Sequence, residues 1–138
     1  MLILVDGAKI NGTKRLKYLA MKKLHLAIAT DDIAATVVDY SERLGCGPDL
    51  VIEGAYALWR TETINLSLRQ GTGEAAGQLR HLGWEDDTAT ALTADVDVNG
   101  ITWERFAAHH QAEEIRSAWP EVNYFTKDGN PELIDSSK

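Results

Sequence analysis

The sequence has few of the features that mark disulfide-rich, membrane-spanning or nucleic-acid-binding proteins. Cys46 is its only cysteine, which excludes an internal disulfide and a cysteine-based metal site and favours a reducing, cytoplasmic setting. No apolar stretch approaches the ~18 residues that a membrane-spanning helix requires. Acidic residues outnumber basic residues by 21 to 14, and the resulting net charge of -7 argues against a nucleic-acid partner.

The composition is instead that of a globular domain. Hydrophobic residues make up 44% of the 138 positions, which is enough to bury a core. The apolar start of the chain ends at Asp6, too early for the core of a signal peptide. We therefore treat residues 1–21 as an N-terminal extension without an assigned role and expect residues 22–135 to form a single domain.

A degenerate repeat runs through this domain. Residues 25–32 read HLAIATDD and residues 81–87 read HLGWEDD, so the two stretches align with one gap. Each stretch then enters a pattern of helical spacing and reaches a glycine, Gly45 or Gly100. A repeat of this kind indicates a duplicated structural unit. We therefore predict two modules, residues 22–70 and 78–135, joined by a glycine-rich linker.

Each module is predicted to run strand, helix, strand, strand, strand (βαβββ), which makes the fold class α+β. The first helix should begin near Asp32 and end at Gly45, since these are a good N-cap and C-cap. Its apolar positions follow helical spacing: Ile33, Val37, Tyr40 and Leu44. The second helix is predicted from a weaker apolar stripe, which consists of Ala89, Leu92 and Val96.

The remaining strands follow each predicted helix in turn. In the first module they are DLVIEG, AYALWR and INLSLR, and in the second they are ITWERF, VNYFT and PELI. A short inserted helix is expected in AAHHQAEEIRSAW. Two such half-cups of sheet would bury each other's faces and leave a concave site between them, where ligands normally bind.

Alternation along the strands predicts which side chains face that site. His25 shares its face with small alanines, and His81 shares its face with Gly83, while leucines occupy the opposite faces. Glu132 stands at a related position on the last predicted strand. Two imidazoles and one carboxylate form the ligand set expected for non-haem Fe(II), and Zn, Mn or Ni use similar ligands. The alternative is that both histidines are structural and Glu132 faces water.

The same alternation predicts a polar wall beside this metal site. Asn65, Ser67 and Arg69 share one face of the INLSLR strand, and we expect Arg69 to lie near the rim of the site. There its guanidinium would bind a carboxylate or another anion, or else form an ion pair with an acidic neighbour. Tyr124 is a further candidate for substrate binding, although aromatic residues in a sheet are more often part of the core.

These residues together give the chain a family resemblance. The histidine-led strands, the duplication and the segment KDGNPEL resemble the vicinal oxygen chelate superfamily, which contains glyoxalases, bleomycin-resistance proteins and extradiol dioxygenases. The segment keeps Asp128, Gly129, Asn130 and Glu132 but has Lys127 where proline is usual. The resemblance covers residues 22–135 and implies paired βαβββ modules that form a cupped mixed sheet.

The resemblance also implies a site and an oligomeric state. It places a divalent metal ion, Fe(II) first among the candidates, on His25, His81 and Glu132, and it implies a homodimer. In glyoxalase I-type enzymes the strand equivalent to the one bearing Asn65 supplies a fourth, carboxylate ligand, so asparagine leaves a set of three.

Two classes of function follow from this resemblance. The first is a metal-dependent lyase, isomerase or dioxygenase that acts on a small oxygenated metabolite or xenobiotic. The second is a non-catalytic protein of the bleomycin-resistance type that binds and sequesters a small molecule. Neither requires a membrane or a nucleic acid.

Overall fold

The computed structural model describes residues 22–71 and 73–129. They form an α+β fold with one seven-stranded mixed sheet and two helices. In chain order the elements are β1 (Lys22–Thr30), α1 (Ile33–Leu44), β2 (Leu50–Ile52), β3 (Tyr56–Arg60), β4 (Ile64–Gln70), β5 (Leu79–Asp86), β6 (Thr93–Val96), β7 (Thr102–Phe106) and α2 (Ala108–Ala118), followed by a 3-10 turn at Lys127–Gly129.

The sheet joins the two halves of the chain through their first strands. Its order is β2-β3-β4-β1-β5-β7-β6, so β1 and β5 lie side by side near the centre. The pairs β1–β4 and β5–β7 are parallel, whereas β1–β5, β2–β3, β3–β4 and β6–β7 are antiparallel. Each half thus places a parallel strand beside its first strand.

Helix α1 covers one face of the first half, as its sequence predicts. The Asp32 side chain accepts a hydrogen bond from the Ala35 amide at its start, and Gly45 ends it with a φ of 76°. Both features satisfy backbone groups that the helix leaves unpaired at its ends. Its apolar stripe packs on a core that includes Trp59 and Leu68, neither of which has exposed surface.

Helix α2 is the short inserted helix that the sequence predicts, and it covers the opposite face. That face carries His25, and we call it the histidine face of the sheet. Ile115 packs there against Tyr56 and Leu58 in a second apolar cluster, and Gln111 is hydrogen-bonded to Asn65. Neither helix of the described chain has the length and apolar character to cross a membrane.

The predicted helix in the second half is wrong. Thr93–Val96, which contain the end of its weak apolar stripe, form strand β6 and pair with β7. The carboxylate of Asp97 explains this outcome, because Oδ1 accepts hydrogen bonds from the amides of Asn99 and Ile101 and closes a hairpin. Gly100, with a φ of 81°, lies in that turn rather than at the end of a helix.

The described second half therefore runs β5, β6, β7, α2. The segment VNYFT is also not a strand, and its Tyr124 carbonyl accepts a hydrogen bond from Arg116 of α2 at 2.6 Å instead. The last predicted strand, PELI, lies outside the described residues, as do Glu132 and the N-terminal extension.

Candidate metal centre

Three potential metal ligands meet at the middle of the sheet. His25 on β1, His81 on β5 and Glu104 on β7 place one ligand atom each within 4.8 Å of the others. The two Nε2 atoms are 3.0 Å apart, and Glu104 Oε1 lies 3.1 Å from His81 Nε2 and 4.0 Å from His25 Nε2. A carboxylate thus lies beside the histidine pair, and it is Glu104; the predicted Glu132 lies outside the described residues.

The strand register explains why these side chains converge. His25 on β1 pairs with Gly83 on β5, and Gly83 in turn pairs with Glu104 on β7. A side chain at Gly83 would stand between the two ligands, and its Cβ would collide with the backbone carbonyl of Glu104. The glycine therefore lets β7 approach closely and keeps the space between His25 and Glu104 clear.

A chain of buried hydrogen bonds sets the tautomer of His25. Arg60 donates to both carboxylate oxygens of Glu85, each at 2.8 Å. An ionised Glu85 can only accept hydrogen bonds, so Asn65 must direct its amide nitrogen toward it, at 2.9 Å. Asn65 Oδ1 then faces His25 Nδ1 at 2.8 Å as an acceptor. His25 therefore carries its proton on Nδ1 and directs the lone pair of Nε2 into the site.

Gln111 completes this support from helix α2. Its side-chain oxygen accepts from Asn65 Nδ2 at 2.8 Å, and its nitrogen donates to Asn65 Oδ1 at 3.2 Å. Asn65 has no exposed surface, and its amide is held on three sides. Such second-layer hydrogen bonds orient a metal-ligating histidine and raise its basicity.

The protonation states suit a cationic ligand. Burial lowers the pKa of His25 despite the opposing effect of the hydrogen bond that His25 donates to Asn65, so the neutral imidazole dominates at neutral pH. Burial alone would raise the pKa of Glu104, but its hydrogen bond and charge interaction with His81 outweigh that effect and lower it. In the same way, Arg60 overcomes the burial of Glu85 and holds its pKa below the usual value.

A cavity of about 560 Å³ opens directly above these residues. Its lining includes His25, His81 and Glu104, with Phe106 beside His25 at a ring-centroid distance of 5.0 Å. Burial and repulsion from Glu104 raise the pKa of Glu114, which lines the wall formed by helix α2. The site is therefore accessible to a small molecule that enters the cavity.

Only some of the predicted substrate-binding residues line the cavity. Ser67 and Arg69 line the cavity, as the strand alternation predicts. Asn65 is buried beneath the site and supports His25, so it is not placed to contact a substrate. Tyr124 packs against the apolar cluster around Tyr56 and is not among the residues that line the cavity.

Glu104 is the functional candidate that the sequence reasoning missed. The alignment of the two halves set Glu132, 51 positions after His81 (132 − 81), opposite Asn65, 40 positions after His25 (65 − 25), whereas only 23 positions separate His81 from Glu104 (104 − 81). The shorter spacing reflects the missing helix. A signal was present, because Glu104 shares a strand face with the apolar Phe106.

Comparisons with known proteins add little to this description. No family model matches the chain, and no curated protein matches it. A crystal structure of a hypothetical protein from Staphylococcus aureus aligns with 69% of the chain at 15% sequence identity and a TM-score of 0.45. The aligned region spans 37% of that protein, so the chain corresponds to little more than a third of its length.

Proposed function

We propose that this protein is a metal-dependent enzyme of the vicinal oxygen chelate type that acts on a small oxygenated metabolite or xenobiotic. His25, His81 and Glu104 would hold the metal ion. The observation that carries the proposal is the convergence of three ligand atoms at the base of an open cavity.

The donor set fits a divalent cation. Two nitrogens that each lie about 2.1 Å from one ion, at right angles, would be about 3.0 Å apart, and the two Nε2 atoms are separated by 3.0 Å. The His25 lone pair and a Glu104 oxygen both face His81 Nε2, and one N–H cannot serve two acceptors well. A cation would satisfy all three groups at once.

The ligand set favours catalysis over a purely structural role. Structural zinc sites are closed by four protein ligands, whereas catalytic sites keep positions open for water or substrate. Two histidines and one carboxylate are typical of non-haem Fe(II), so we infer Fe(II), with Zn, Mn or Ni as the other candidates. When bound, such an ion would polarise a substrate oxygen and stabilise developing negative charge.

The strand arrangement supports the family resemblance. The first half runs βαβββ with β4 parallel to β1, and the second half repeats the parallel pairing with β7 beside β5. We infer a glyoxalase-like arrangement whose second module has lost its helix. The metal ligands then lie on β1 and β5, which are the first strands of the two modules, and on β7, which is the parallel partner of β5.

The protein's own residues have distinct roles in this proposal. Asn65 orients His25, and Phe106 shields the edge of that imidazole from water. Glu114 lines the cavity and burial raises the pKa of its carboxyl, which makes it the candidate for proton transfer to or from a bound substrate.

Metal titration of the purified protein tests the proposal. We expect one divalent ion per chain by calorimetry with Fe²⁺ under anaerobic conditions or with Co²⁺ in air. The His25→Ala, His81→Ala double variant should bind none at the same site. Equal uptake by the variant would refute the assignment. A wild-type protein that binds no metal but captures ligands from an unbiased small-molecule screen would support the sequestering alternative instead.

A further inference from the structure

Arg69 places a positive charge at the rim of the metal cavity. It lies on β4 on the same strand face as Ser67, and both line the cavity with the three metal ligands. Arg69 is exposed, so its guanidinium can be reached by a ligand that enters from solvent. The position agrees with the alternation predicted from the sequence.

Arg69 is available for a ligand, unlike the other arginine of the cavity. Arg80 forms an ion pair with Glu74 at 3.3 Å. In the part of the chain that the structure describes, Arg69 has no carboxylate within 4.0 Å and instead stacks over Trp119 of the α2 C-terminus at 5.0 Å. Stacking on an aromatic ring holds the planar guanidinium without occupying its hydrogen-bond donors.

The strand register gives the separation along the strands between Arg69 and the metal ligands. Ser67 on β4 and His81 on β5 both pair with Ala27 on β1, so they lie in one row across the sheet. Arg69 is two residues further along β4, about 7 Å of strand, and it is four residues, about 13 Å of strand, from the row that holds His25 and Glu104. A ligand that contacts both the metal centre and Arg69 must therefore carry its anionic group several bonds away from its metal-binding oxygens.

From these positions we infer that the substrate is a small dianion. It would bear an oxygen pair for the metal at one end and a carboxylate for Arg69 at the other. The inference rests on the proposed metal site. The Arg69 guanidinium would bind the distal carboxylate through two parallel hydrogen bonds.

Two matched probes separate the distal carboxylate from the metal-binding end. The compounds 2-oxoglutarate and 2-oxopentanoate have the same length and the same 2-oxo acid group, but only the first has a carboxylate at carbon five. Their affinities for the Co²⁺-loaded protein can be measured by calorimetry and by the visible absorption of Co²⁺. We expect wild type to prefer 2-oxoglutarate by at least about tenfold, the value of one charged hydrogen-bond pair.

Substitutions at Arg69 test whether this side chain supplies the preference. Arg69→Gln should reduce the preference to less than about threefold, and Arg69→Lys should give an intermediate value because it keeps the charge without the planar fork. Arg43→Gln makes the same change in net charge on the exposed surface of α1 and should leave the preference intact. Co²⁺ affinity without an organic ligand should be the same in all four proteins.

The outcomes distinguish this inference from the proposed function. If wild type binds no Co²⁺, both are overturned. If Co²⁺ binds but wild type does not distinguish the two probes, only the dianion inference is overturned. The dianion inference alone is also overturned if the preference survives in Arg69→Gln, since another group would then bind the carboxylate.

Discussion

Asn65 is the residue through which the buried hydrogen-bond network acts on the candidate metal centre, and its removal should affect metal binding as well as folding. In Asn65→Ala, His25 loses its acceptor at 2.8 Å and keeps only the backbone carbonyl at 3.2 Å. The imidazole is then free to rotate or to change tautomer. Loss of such a second-layer partner typically lowers metal affinity by about 10- to 100-fold.

The cost to stability follows from the same contacts. Gln111 loses both of its hydrogen bonds to Asn65, whereas Glu85 keeps Arg60 and His25 keeps the weaker carbonyl. One buried amide left without these partners costs about 1–3 kcal/mol, and each of two weakened groups about 0.5–1.5 kcal/mol. We therefore expect the metal-free variant to lose about 2–6 kcal/mol of unfolding free energy.

Two measurements on the same variant check both parts of this prediction. Urea unfolding of the metal-free protein gives the stability change, and competitive titration of Co²⁺ gives the change in affinity. Ser67→Ala, two residues along the same strand face, is the control and should leave Co²⁺ affinity within about twofold, since Ser67 takes no part in the hydrogen bonds that support His25. If Asn65→Ala is destabilised but binds Co²⁺ as wild type does, the positioning role is refuted.

Two further predictions concern the neighbours of this network. Gly83→Ala should push β7 and Glu104 away, which lowers Co²⁺ affinity and destabilises the protein by about 1–3 kcal/mol through overpacking. Gly47→Ala is the control and should change neither property, because there is open space at its Cβ. If the two substitutions changed stability and Co²⁺ affinity equally, this prediction would be contradicted. The pKa of Glu85 is lowered in the folded protein, so its stabilising contribution is present above the unfolded value of 4.5 and is lost as pH falls through the folded pKa. Glu85→Gln should flatten the acid side of the stability profile measured by urea unfolding, and an unchanged slope below pH 5 would argue against the Arg60 pair.

The first half of the fold was predictable because its signals are local. The Asp32 cap, the apolar stripe of α1 and Gly45 all lie within 14 consecutive residues (45 − 32 + 1), and each acts on its neighbours in sequence. Strand alternation likewise predicted that Ser67 and Arg69 share one face of their strand and that His25 shares a face with the alanines of β1. These rules need no knowledge of distant partners.

The second half depended on partners far apart in sequence. The stripe of Ala89, Leu92 and Val96 is compatible with a weak helix, but pairing with β7 and the Asp97 turn stabilise a hairpin instead. Once that helix is absent, the described carboxylate that meets the histidines comes from β7. Alternation alone could not reveal this, because it orients a side chain without saying which strands are neighbours.

Glu132 remains a predicted ligand that lies outside the described residues, and this makes the identity of the carboxylate the most direct test of the proposed site. Glu104→Gln and Glu132→Gln make the same chemical change at two positions of one chain. Each keeps side-chain size and removes the negative charge that a divalent ion requires.

The deciding measurement is the Co²⁺ affinity of wild type, Glu104→Gln and Glu132→Gln, each at one pH by competitive titration. The proposed site predicts that Glu104→Gln weakens binding by at least about 100-fold, since replacing a coordinating carboxylate should cost at least as much as losing a second-layer partner. It also predicts that Glu132→Gln binds Co²⁺ as wild type does. Normal binding by Glu104→Gln together with loss of binding in Glu132→Gln would contradict it.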